Sequence, residues 1–370
     1  MLSNKKPYIF QDSFTIDSPA LIVFHEVVKT NIDNALQLIA GSKNTLLRPH
    51  IKTVKCQEAI QLAMSRGIDR FKCSTISEAE LLGMTGAKDV LLCYQLSETK
   101  AKRFSNLRDK YPNTKFSALV DNLDSAVMLS IFFDERPLPV FIDINVGMNR
   151  TGIKIDKVVE FITKIKDLKG LQINGVHAYD GHVHASELEI RKQQTEEIFS
   201  ALSNLLNLTD VILGEKLALV IGGSPSFTFY AKKDGVECSP GTFFFWDAGY
   251  GSSFSELPFI PAATILTRVV SIIDKNTLCF DLGTKATASD PPQPRVDILN
   301  LEGYSIIDQF EEHLVVSVPD TSQYTIGEPF LAIPYHICPT VNLYEELMVI
   351  EDGIVSDTWE VLARNRKITV

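Results

Sequence analysis

The chain has 370 residues, 45% of them apolar and 22% charged, enough for a sizeable core divided between two domains. Its formal charge of −10 and pI near 5.3 argue against nucleic acid or an anionic membrane as partner. The opening MLSNKKPYIFQDS lacks a secretory leader's apolar run, no stretch is long enough to span a bilayer, and six scattered cysteines without a CxxC pair fit reduced thiols, so a cytoplasmic protein is expected.

The segment 8–18 is a candidate strand of a second domain, and ALIVF at 20–24 leads into the first helix. Next, Leu47-Arg48-Pro49-His50-Ile51-Lys52-Thr53-Val54-Lys55 starts as a strand and ends in a helix. Lys52 sits where the strand stops, the natural address of a Schiff-base lysine in a β/α barrel. Short β-branched runs predict barrel strands at about 46–52, 70–73, 88–94, 116–120, 139–145, 171–178, 217–222 and 235–239. Amphipathic stretches lie between them: Ile60, Ala63 and Met64 recur at helical spacing before Gly67, and Val158, Phe161, Ile162 and Ile165 repeat the pattern. Strands separated by helices argue for a parallel (β/α)8 barrel; a doubly wound sheet competes, but no GxGxxG follows the first strand. Beyond Gly241 the runs TILTRVVSIID, TLCFDLG, HLVVSV, PFLAIP and LMVIEDGIV read as an antiparallel β domain. The expected division is a barrel over 19–242 and a β domain over 243–370 joined by 1–18.

Six segments, RPHIKT, FKCSTISEAELL, IDINVGMNRTGI, GGSPSFT, ECSPGTFFFWD and HICPTVNLYEEL, occur in an order and spacing that resemble the fold-type III pyridoxal phosphate enzymes, in the branch of D-threonine aldolases and D-serine dehydratases. The resemblance runs from about residue 20 to the C-terminus and implies an alanine racemase-like barrel whose Lys52 carries pyridoxal 5'-phosphate, with His50 and Tyr179 as further catalytic candidates. Relatives commonly read KTHK where this chain has Val54, so that histidine is absent.

Such a cofactor needs an anion cradle. Gly222-Gly223-Ser224-Pro225-Ser226 follows the seventh predicted strand; its glycines admit a phosphate close to backbone N–H groups, and Ser224 or Ser226 can donate a hydroxyl. Gly241 and Thr242, after the eighth strand, could close the same site, and tight turns are the plainer alternative for both loops. Arg150, in the loop VGMNRTG, cannot give up its proton and would leave a facing pyridine nitrogen unprotonated; a surface salt bridge is the alternative. In HAYDGHVH, alternation sends His177 and Tyr179 to one face and Ala178 and Asp180 to the other, and the resemblance makes Tyr179 the residue that packs on the cofactor. His182 and His184 form an HxH pair that is either a metal site or an ordinary loop. His336 and Cys338, at i and i+2 of an expected extended segment, project together, and imidazole with thiolate favours zinc or another transition ion over magnesium or calcium; the expected ion is divalent zinc or manganese. Asp281 and His313 have either supporting or structural roles, and Phe243 to Phe245, Trp246 and Tyr344 read as packing.

The resemblance implies a lyase acting on a small β-hydroxy-D-amino acid. The metal would bind the β-hydroxyl and assist either aldol cleavage or β-elimination. ECSPGTFFFWDAGY and YDGH resemble aldolase-type members, so cleavage of D-threonine is preferred; Cys338, typical of dehydratases, points to D-serine or D-3-hydroxyaspartate dehydration. Racemisation and a non-catalytic cofactor carrier are more distant alternatives, and members of this fold with two domains imply a homodimer.

Overall fold

The structure, a computed structural model, describes residues 8, 10, 11, 13–42 and 44–370. The chain forms two compact units. Of the described residues, one holds those of Ala35–Lys52, Ile60–Gly241 and Asn365–Val370; the other holds those up to Asn34, Thr53–Ala59 and Thr242–Arg364.

The first unit is a closed parallel barrel. Its strands are β1 (Leu46–Leu47), β2 (Arg70–Cys73), β3 (Asp89–Gln95), β4 (Lys115–Val120), β5 (Leu138–Asn145), β6 (Leu171–Ala178), β7 (Ala218–Ile221) and β8 (Val236–Cys238). They pair in the order β1-β8-β7-β6-β5-β4-β3-β2, and a parallel bridge between His50 and Lys72 joins the two ends of that list. Closure removes the open-sheet alternative. The strands are apolar runs because both faces are covered: seven of the eight residues of β5 are buried. Leu91, Leu119, Phe141 and Val220, from four strands, meet in one cluster. Outside, the helix Val158–Ile165 buries Val158, Phe161, Ile162 and Ile165, the stripe its spacing predicts.

The first strand is shorter than the expected 46–52. Pro49 has no N–H to donate to a ladder, so regular pairing stops at Leu47 and resumes only at His50. Around it, Lys72 N–H donates to Pro49 O at 2.8 Å and His50 N–H donates to Pro240 O at 2.9 Å.

The second unit is a mostly antiparallel sheet. Ser305–Gln309, Leu314–Ser317, Thr277–Phe280, Ala263–Asp274, Ala20–Phe24, Glu346–Glu351 and Ile354–Glu360 lie side by side in that order, and Pro329–Pro334 also pairs with Ala263–Asp274. The expected strand LMVIEDGIV is a hairpin that turns at Asp352-Gly353, both at positive φ. Two readings of the sequence need correction. ALIVF belongs to this sheet, antiparallel to Ala263–Asp274 and parallel to Glu346–Glu351, whereas the described residues of 8–18 form no strand. Ile22 and Val23 are fully buried there, so the five-residue apolar run is a central strand of this sheet and, as expected, leads directly into the helix His25–Ile39.

Candidate active site

A cavity of about 710 Å³ opens at the C-terminal ends of the barrel strands. Its walls include His50 and Lys52 after β1, Lys72, Ser74 and Thr75 at the end of β2, Arg150 in the loop after β5, and His177 and Tyr179 at the end of β6. Four sequence candidates, His50, Lys52, Arg150 and Tyr179, therefore line one cavity. Lys52 N–H donates to His50 Nδ1 at 3.1 Å, which fixes the imidazole and the turn that carries the lysine. The Tyr179 ring lies under two cations, with the Arg150 guanidinium 5.0 Å and Lys72 Nζ 5.6 Å from its centroid. Glycine is required beside that ring: a Cβ at Gly181 would stand 2.4 Å from Tyr179 Cε1. As alternation requires, Asp180 points away and accepts from the Tyr230 hydroxyl at 2.9 Å.

The sequence reading missed Lys72. Its side chain is 3% exposed, and Nζ lies 3.3 Å from His177 Nε2. His177 Nδ1 in turn lies 2.8 Å from Asp143 Oδ1, and Asp143 Oδ2 accepts from Gln95 Nε2 at 3.0 Å and Thr151 Oγ1 at 2.7 Å. Burial pushes the Lys72 amine below the ordinary lysine value, and the charge of Lys52 adds to that. Burial alone would raise the Asp143 carboxyl, but hydrogen bonds from His177, Thr151 and Gln95 hold it below the ordinary aspartate value. A lysine between Phe71 and Cys73 in a strand expected to be buried was the available signal.

The glycine loop is more occupied than expected. Gly222 takes φ +87, open to glycine without strain. The Gly223 N–H donates to Asp180 Oδ1 at 3.1 Å and to Ser226 Oγ at 3.0 Å, so Ser226 braces its own loop. Ser224 is buried beside it. A Cβ at Gly241 would stand 2.5 Å from His50 O, so only glycine fits there. Ser239, at the end of β8 and not singled out from the sequence, has a buried Oγ with no hydrogen-bond partner among the described residues.

In the second unit, His336 and Cys338 are not in an extended segment. His336 caps a short helix, Ile337–Val341, with Pro339 in its first turn, where a missing N–H is harmless. Asp247 Oδ2 accepts the Ile337 N–H at 3.1 Å and anchors that turn. The pair is still brought together by a hydrogen bond between imidazole and sulfur. Asp290, in the proline-rich stretch TASDPPQPRV, lies 2.6 Å from His336 Nδ1. Burial alone would lower the His336 pKa, yet Cys338 and Asp290 raise it to about 9. Thr53 Oγ1 lies 3.0 Å and Thr242 Oγ1 3.8 Å from Cys338 Sγ.

His182 packs on Gly147 and His184 is exposed. Asp281 ties strands together, accepting from Thr267 Oγ1 at 2.6 Å and Arg268 N–H at 2.7 Å; His313 is exposed. Phe243 to Phe245 and Trp246 are buried packing, and Tyr344 donates to Ala286 O at 2.7 Å.

Residues 26–247 match the family model described as alanine racemase, N-terminal domain, and residues 262–350 match the one described as putative serine dehydratase domain. The chain is 27% identical to a D-threonine aldolase of an Arthrobacter species, over 94% of this chain and 93% of that protein. It is 23% identical to a D-threo-3-hydroxyaspartate dehydratase of Delftia sp. strain HT23, over 94% of this chain and 98% of that protein. The solved structure of a D-threonine aldolase from Filomicrobium marinum superposes with a TM-score of 0.87 at 25% identity, covering 95% of this chain and 96% of that one.

Proposed function

The chain belongs to the fold-type III pyridoxal phosphate enzymes, as an alanine racemase N-terminal domain followed by a putative serine dehydratase domain, and on that premise we propose a metal-assisted lyase that cleaves β-hydroxy-D-amino acids, D-threonine to glycine and acetaldehyde. The observation that carries this reading is the convergence of Lys52, Arg150 and Tyr179 on one cavity at the strand ends.

The cavity walls suit a flat, anionic, aldehyde-bearing cofactor. Lys52 offers an amine and Tyr179 a flat ring backed by Gly181. The unpartnered Ser239 hydroxyl, with Gly222 and Gly241, offers a donor and close backbone approach for a phosphate. When bound, pyridoxal phosphate supplies a conjugated electron sink for the pair left on the substrate's Cα. Lys52 would hold it, Tyr179 would pack on it, and Arg150 would face its ring nitrogen without giving up a proton. His336 and Cys338 would offer nitrogen and sulfur donors that suit zinc or another transition ion acting as a Lewis acid, with Asp290 orienting the imidazole at Nδ1.

β-Elimination to a keto acid and ammonia is the second reading, favoured by Cys338 and by the dehydratase relative. The proposal includes a cytoplasmic homodimer. Free cysteines among the described residues suit a reducing compartment, and no described helix is long and apolar enough to cross a membrane.

A product assay separates the readings. D-Threonine should give glycine and acetaldehyde and L-threonine should not react; 2-oxobutanoate with ammonia would select elimination. Metal-independent exchange of D- and L-alanine as the only activity would reject both. Borohydride should fix the cofactor to the Lys52 peptide; recovery on Lys55, Lys72 or Lys285 would reject that assignment.

A further inference from the structure

We propose that Lys72 is a second catalytic amine of this cavity, exchanging a proton with the substrate's Cα, and that His177, oriented by Asp143, is the positioning residue that takes up and returns that proton. The proposal rests on the lyase reading of the cavity but not on the choice between cleavage and elimination.

Three features point this way. Lys72 shares the cavity wall with Lys52, so both amines face whatever binds there. Its hydrogen-bond partner is an imidazole nitrogen, His177 Nε2 at 3.3 Å, instead of the carboxylate that usually steadies a buried lysine. Asp143, engaged by Gln95 and Thr151, holds the Nδ1 side of the His177 ring and so turns Nε2 towards Lys72 Nζ. An amine backed by an imidazole, itself oriented by a buried carboxylate, is the arrangement that activates a nucleophile or base. His177 and the ring of Tyr179 lie against this amine, and the charges of Cys93, Lys52, Asp143 and the more remote Asp180 act on it. Burial and the Lys52 charge both favour its neutral form, which a base needs.

The proton balance closes without another reactant. In cleavage, the β-hydroxyl loses its proton, C=O forms as Cα–Cβ breaks, and the bonding pair remains on Cα. The hydroxyl proton passes by way of His177 to the neutral Lys72 Nζ, and the ammonium so formed gives it to Cα, which leaves Nζ neutral again. In elimination, Nζ takes the Cα proton, hydroxide leaves Cβ, and that proton completes a water molecule.

Two measurements test it. The first needs no cofactor: the purified protein is trace-labelled with acetic anhydride across a pH series and the Lys72 peptide is quantified by mass spectrometry. Lys72 should reach half-reaction at lower pH than exposed Lys88, and His177→Gln should shift its curve but not that of Lys88. Overturning results are a Lys72 that tracks Lys88, or one that never labels and is therefore closed to the cavity. The second is exchange of the glycine α-proton in D2O by the holoenzyme. Lys72→Met should slow it on the order of 100-fold with cofactor absorbance retained, and Lys72→Arg should not restore it. Undiminished exchange in a cofactor-loaded Lys72→Met overturns the proposal. If wild type labels as expected but shows neither exchange nor turnover, the lyase reading fails and the proton step falls with it.

Discussion

Lys72 makes the cavity reactive at a cost in stability. Its folded pKa lies below the ordinary lysine value of 10.5 because the amine is buried. The folded chain therefore binds fewer protons than the unfolded chain between these values, and stability rises with pH across that window. The contribution is complete above 10.5 and is lost as pH falls through the folded value. Lys72→Met removes this dependence. It should stabilise the protein by about 1 kcal/mol near neutrality, with the gain shrinking towards alkaline pH in thermal melts. A melting difference independent of pH would contradict the assignment of a depressed amine. Cys338 tests the metal proposal. With sulfur bonded to His336 and Thr53, Cys338→Ser should lower bound metal and turnover while leaving cofactor absorbance intact. Elemental analysis reads the first and a chelator titration should reproduce the second; unchanged metal content in both Cys338→Ser and His336→Ala would reject the site.

Among the elements, the helix Ile76–Thr85 does most to set the cavity's polar rim, because its cap residues line the wall. Thr75 Oγ1 accepts the Glu78 N–H at 3.0 Å, while Glu78 Oε2 accepts the Ser74 N–H at 2.7 Å. This reciprocal cap satisfies donors that a helix start leaves open and holds Ser74 and Thr75 against the cavity. Thr75→Ala should cost about 1 kcal/mol in denaturant melts, and Thr75→Ser should recover most of it. The short helix at Ile337 follows different logic. Its five residues are too few to be stable alone, so Asp247 and Pro339 set its start and the tertiary context sets its direction. That is why an extended segment was the natural reading of His336-Ile337-Cys338.

At the scale of the whole barrel, closure depends on a buried ion network at the seam. Arg48 is 1% exposed; its Nε donates to Glu237 Oε2 at 2.5 Å, and Nη1 donates to Asp89 Oδ1 at 2.7 Å and Phe71 O at 3.3 Å. One guanidinium thus joins residues of β2, β3 and β8 beside its own strand. Glu237→Gln removes the charge that compensates it and should destabilise the barrel by roughly 3 kcal/mol, read as a fall in the denaturant midpoint at unchanged slope. A loss below about 0.5 kcal/mol would show that the seam holds without the pair.

Local order determined much of this molecule. β-Branched runs placed the barrel strands within a few residues, because a strand covered on both faces must be apolar along its length. Helical stripes such as Val158, Phe161, Ile162 and Ile165 were legible for the same reason of burial. Lys52, Arg150 and Tyr179 were legible as strand-end residues, since barrel topology sends those ends to one rim. Only the tertiary structure decided which polar groups meet. Lys72 and His177 are 105 residues apart, His177 and Asp143 34, and His336 and Asp290 46. The contacts of Lys72, His177 and Asp143 depend on strand register and on the curl that closes the sheet at His50 and Lys72, and neither leaves a mark in the neighbouring sequence.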